Sequence, residues 1–113
     1  MNLLIRLIVS TLAVIISAKI LPGVHLKGGL GTAIIVAIVL GLLNTFLKPV
    51  LTFLTIPLTI ITLGLFLLVI NVIIVYITMA LVDGFHVDGF LWALIFSFVM
   101  SIVGAILSSL FDD

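Results

Sequence analysis

Residues 50–82 read VLTFLTIPLTIITLGLFLLVINVIIVYITMALV, 33 positions without a charge. One straight helix of that length would reach about 50 Å, and the hydrocarbon core of a bilayer is about 30 Å thick. The stretch is too long for one crossing and too short for two joined by a turn. It therefore divides. Residues 63–82 make a full span of 20 residues, and residues 50–62 are left over as a segment that does not cross. Pro57 cannot donate a backbone hydrogen bond, and Gly64 is free to turn. Together they predict a short helix before Pro57 and a turn near Thr62 to Gly64.

Outward from this stretch, the charges mark the other spans. Arg6, Lys19, Lys27, Lys48, Asp83, Asp88, Asp112 and Asp113 are all of them. Residues 3–21 form a first span, with Arg6 and Lys19 near its ends, where their stems can snorkel to the headgroups. Residues 31–47 and 90–111 form two more, of 17 and 22 residues. The expectation is an all-α membrane protein with four transmembrane helices in one integral domain, residues 1–113, with residues 48–62 as connector. Arg6 before an apolar run also resembles a signal peptide, but the run continues to Leu21 and Ser17-Ala18-Lys19 is a poor cleavage site. A retained helix is the expectation.

Composition agrees. Of 113 residues, 65% are hydrophobic and 7% charged, and the mean hydropathy is +1.73. A soluble domain carries about 25% charged residues. Four basic residues against four acidic leave no basic patch for nucleic acid. There is no Cys, hence no disulfide and no thiolate chemistry. No nucleophile triad, phosphate loop or dinucleotide fingerprint is present. No enzyme, cofactor, metal or small-molecule substrate is expected, and the partner implied is the lipid bilayer.

The connector carries a polar stripe. Thr52, Thr55, Thr59 and Thr62 recur at intervals of three and four, and Asn44 and Lys48 extend the series backwards. That spacing is one face of a helix. It suits the membrane interface, or a re-entrant half-helix facing a polar interior. Alternatively the hydroxyls bond back to their own helix carbonyls. Pro49 disfavours helical geometry at Lys48, so Lys48-Pro49 is expected to end the second helix, with the ammonium on terminal carbonyls or lipid phosphates.

Two loops look alike at an offset of 61: Gly23-Val24-His25-Leu26-Lys27-Gly28 and Gly84-Phe85-His86-Val87-Asp88-Gly89. Ser10 then matches Asn71, and Ser17 matches Thr78. Beyond the loops, at an offset of 60, Ala33, Ala37, Gly41 and Thr45 match Ala93, Ser97, Ser101 and Ala105. This reads as two helical hairpins in parallel orientation about an axis along the membrane normal. Small residues every four positions allow close backbone approach where lipid supplies little hydrophobic drive. Packed interfaces on the second and fourth helices are expected, within or between chains.

The run Gly41-Leu42-Leu43-Asn44-Thr45-Phe46-Leu47-Lys48-Pro49, then Ile56-Pro57-Leu58-Thr59, Leu63-Gly64-Leu65-Phe66 and Val69-Ile70-Asn71, resembles phage holin family 4, superfamily IV. The loop ending Gly84-Phe85-His86-Val87-Asp88-Gly89-Phe90 fits as well. The resemblance covers roughly residues 1 to 110. It implies a small four-helix protein of the bacterial inner membrane, and the name implies lesions that release lytic enzymes.

The intramembrane carboxamides, Asn44 and Asn71, must find partners, either across helices or in a polar lining. His25 and His86 share a membrane side if the repeat holds. With Asp83 and Asp88 they could gather a metal or proton. The alternation around them also suits two short strands with His and charges facing water, Lys27 standing opposite Asp88. Arg6 and Lys48 on the side of the termini balance Lys19 and Lys27 opposite, so charge leaves the orientation tied. The family resemblance favours cytoplasmic termini. Two functions remain: a self-associating structural or envelope-stress-related membrane protein, or a holin-type pore former. A pore needs a continuous polar stripe along a span. No single span has one, which favours the first.

Overall fold

A computed structural model describes residues 2–111. Helix α1, Leu3–Ile20, starts at Asn2, whose side-chain oxygen accepts from the Ile5 N–H at 2.8 Å, an N-cap that satisfies one of the free amides of the first turn. Strand β1, Val24–Leu26, follows, and then helix α2, Gly29–Leu42. A π-helical turn, Leu43–Leu47, leads into α3, Lys48–Leu54, and α4, Ile56–Ile61. Helix α5 is Phe66–Leu81, strand β2 is Phe85–Val87, and α6 is Phe90–Phe111. Three helical stretches are long and apolar enough to cross a membrane: Leu3–Ile20, Gly29–Leu54 and Phe90–Phe111. Phe66–Leu81 is apolar but shorter, about 24 Å at 1.5 Å per residue.

The expected helix end at Lys48-Pro49 is corrected. Lys48 is fully helical, at φ −59° and ψ −45°, and the helical rod runs on to Leu54. The π turn explains how. The Lys48 N–H reaches back five residues to the Leu43 carbonyl, so the helix widens just where the Pro49 ring would meet the preceding turn. Pro49 then sits in the first turn of α3, where a missing N–H costs nothing. The break comes at Thr55, at φ −107° and ψ 14°, with Pro57 in the first turn of α4. The chain next turns at Leu63 and Gly64, both with positive φ, and the Gly64 N–H closes the turn on the Thr59 carbonyl at 2.8 Å.

The four long helices form a ring. Helix α1 packs on α2 and α6, and α5 packs on α6 and α2. The strands pair antiparallel across one end of the ring, with Val24 opposite Val87, His25 opposite His86 and Leu26 opposite Phe85. The Lys27 N–H donates to the Gly84 carbonyl, and the Asp88 N–H to the Gly23 carbonyl. Lys27 therefore does not face Asp88. Each lies opposite a glycine of the other loop.

The two halves bury matching positions. On α1 the buried residues are Val9, Thr11, Ala13, Val14 and Ser17; on α5 they are Ile70, Val72, Ile74, Val75 and Thr78. Every pair is separated by 61. The helix ends match too: the Leu21 N–H bonds the Ser17 carbonyl, and the Val82 N–H the Thr78 carbonyl. Burial is concentrated toward the strands. It stops at Leu40 on α2 and at Phe96 on α6.

Candidate functional site

Beyond that core, on the side of the helix termini, the ring opens into a cavity of about 250 Å³ between α2, α5 and α6. The π turn swings Asn44 and Lys48 to its edge; α5 supplies Asn71, and α6 supplies Ser97 and Ser101. Five residues precede Asn71 in α5, placing it about 8 Å into the helix at 1.5 Å per residue. A second opening, between α1 and α6, shares Ser101 and adds Arg6, Ser10 and Ser108. Asn44, Asn71, Ser97 and Ser101, from three helical stretches, thus meet at one cleft, although no single helix carries a continuous polar stripe. The cleft is floored by Phe96, Ile74 and Val75, all buried, so it does not run through the ring.

Among the described residues, neither carboxamide has a hydrogen-bond partner within the chain. The Ser101 hydroxyl donates only along its own helix, to the Ser97 carbonyl at 3.0 Å. Asn71 is half-buried and Asn44 exposed. In hydrocarbon such groups require water, lipid or another chain.

The small-residue stripes divide in two. Ala33, Ala37 and Ala93 are buried against neighbouring helices. Ser97 is half-buried, and Gly41, Ser101 and Ala105 are exposed. A side-chain carbon added at Gly41 would meet nothing within 4 Å. Within one chain, close approach uses only the strand-side half of each stripe.

The connector threonines are its half-buried side, while Phe53, Leu54, Ile56, Leu58, Ile60 and Ile61 point outward. Thr55 donates to the Leu51 carbonyl at 2.7 Å and Thr62 to the Leu58 carbonyl at 3.0 Å. Thr62 also accepts from the Phe66 N–H, tying the turn to the head of α5. Among the described residues, the buried hydroxyls of Thr59 and Ser17 have no hydrogen-bond partner. Thr52 is half-buried as well. Apolar outside and polar inside is the order that lipid imposes.

At the opposite end, the imidazoles of His25 and His86 stack at 5.9 Å between ring centres. His25 Nε2 lies 2.9 Å from both Asp88 carboxylate oxygens, and His86 Nε2 lies 3.4 Å from one of them. All three are exposed. Among the described residues, no three His, Cys, Asp or Glu side chains are arranged to hold a metal. His faces His in this register, and the flanking Lys27 and Asp88 each face the other loop's glycine.

The chain matches no curated protein and no solved structure. Residues 1–106, which take in the first three long helices and most of the fourth, match the family model described as mycobacterial 4 TMS phage holin, superfamily IV, and this small, membrane-embedded, holin-like chain belongs to that family.

Proposed function

We propose that the chain is a self-associating membrane protein with a structural or envelope-stress-related role, and that it acts by assembly and not by catalysis. Copies meet through the outer half of α6. The observation that carries this reading is the exposure of Ser101 and Ala105 on an apolar helix whose Ala93 is completely buried. Small residues left open in lipid offer a backbone-close interface, and a hydroxyl there gains a partner from a second helix. Ser101→Leu should shift the protein toward monomer in native mass measurements in mild detergent, with helicity by circular dichroism unchanged. An unchanged oligomer distribution would overturn the reading. The holin-type pore is the second reading, favoured by the convergence of Asn44, Asn71, Ser97 and Ser101 on one cleft. The buried floor of Phe96 and Ile74 means that only an assembly, and not one chain, could carry such a path.

The matching burial at an offset of 61 and the His25–His86 register support two hairpins in parallel orientation about an axis along the membrane normal. We place the protein in the bacterial inner membrane with both termini in the cytoplasm. Reporter fusions at the C-terminus and at Lys27 should then report cytoplasm and exterior respectively; the same compartment for both would contradict an even number of crossings.

A further inference from the structure

A groove between α1 and α2, with a volume of about 460 Å³, shares Arg6 and Ser10 with the α1–α6 opening and lies within the range of ligand sites. Leu7, Ile38, Leu42 and Phe46 wall it, and Ala37 and Gly41 form its floor. The floor is open because Gly41 has no side chain and nothing stands above it. Arg6 lies at the mouth and Ser10 further in. Arg6 is exposed and only the fourth residue of α1, about 5 Å from the helix start at 1.5 Å per residue. A cation that close to the end of an apolar span can reach the headgroups. A guanidinium offers paired donors that match two phosphate oxygens.

The repeat supplies an internal contrast. The residue equivalent to Arg6 in the second hairpin is Leu67, and those equivalent to Ala37 and Gly41 are Ser97 and Ser101. The cation and the smooth apolar floor occur together only in the first hairpin.

We propose that this groove binds an anionic phospholipid, one acyl chain lying over Ala37 and Gly41 between the helices and the phosphodiester held by Arg6. The narrow apolar channel accounts for the chain and the cation at its mouth for the charge. This site does not depend on self-association through α6.

The test uses the full chain in vesicles of equal parts phosphatidylglycerol and phosphatidylcholine, extracted in mild detergent and weighed by native mass spectrometry. The parent should retain phosphatidylglycerol preferentially. Arg6→Gln should lower that preference about fivefold, the worth of one cation at the membrane surface, and Arg6→Lys should recover part of it. Gly41→Leu fills the channel and should lower retention of both lipids. Soluble glycerophosphate in millimolar excess should not displace the lipid, because it lacks the chain; displacement would mean a plain phosphate site and overturn the proposal. Equal retention by the parent and Arg6→Gln would overturn it. So would a change of oligomeric state, with lipid retention intact, in Gly41→Leu, since a second copy would then fill the groove. Arg6 is exposed, so its variants read out even if Gly41→Leu fails to fold.

Discussion

Phe96→Ala is expected to lower the unfolding free energy by about 3 kcal/mol, at the lower end for aromatic truncations in cores. Phe96 is the largest of the fully buried side chains. Its ring meets Phe85 of β2 at 5.4 Å between centres and a tilt of 53°, an arrangement that lets ring edge meet ring face. The residue thus joins α6 to the strand pair and floors the polar cleft. Between helices in lipid there is little hydrophobic gain to lose. The cost lies in lost contacts and in a cavity the ring of helices cannot close. Denaturant titration in mixed micelles measures it. A loss below about 0.5 kcal/mol, the size of a surface change, would mean that α6 does not pack on the strands as described. Phe96→Leu, which keeps much of the volume, should cost clearly less.

Gly84→Val should be of similar severity for a different reason. Gly84 has φ +92°, where a β-branched residue is strained by about 1–3 kcal/mol. A side-chain carbon there would also stand 2.5 Å from the Lys27 carbonyl oxygen. The same two residues share the Lys27 N–H to Gly84 carbonyl bond at 2.6 Å, so the backbones cannot part without losing the strand pair. Trp92, the single tryptophan, packs directly over Gly23 in the partner loop and reports on that pair. The expected result is a red-shifted Trp92 emission together with lowered stability. Gly89→Ala shares the positive φ but has open space around it, and should cost only the backbone strain. Equal effects at Gly84 and Gly89 would show that the close approach to Lys27 carries no weight.

Much of the architecture could be read from charges and spacing. Charges and apolar length pointed to four helices, although the second helical rod runs past Lys48 to Leu54, and the turn expected near Thr62 to Gly64 lies at Leu63 and Gly64. The offset of 61, chosen from loop glycines and histidines, turns out to pair the buried residues of α1 and α5 one to one. Pro49 was misleading because a proline's local preference opposes a helix, whereas a single π turn ahead of it restores the path. Periodicity located the threonine face but not its direction. Intervals of three and four define a face equally well whether it looks at water or at the bundle, and only packing decides. The same limit applies to the small-residue stripes. Ala33 and Gly41 lie on one stripe, yet Ala33 is buried and Gly41 open, because burial depends on distance from the strand end of the ring and not on the pattern. The cleft could not be read at all from single spans. Asn44, Asn71, Ser97 and Ser101 are remote in sequence, and their convergence follows from the ring order α1, α2, α5, α6.

Self-association through the open half of α6 is tested most directly by disulfide trapping, since the chain has no native Cys. Ser101→Cys and Ala93→Cys, each expressed singly in bacterial membranes and oxidised in place, differ only in position along one helix. The exposed Ser101 position should give a covalent dimer in high yield, and the buried Ala93 position should remain monomeric. Monomer at both positions, or equal dimer at both, would contradict an interface on the outer half of α6.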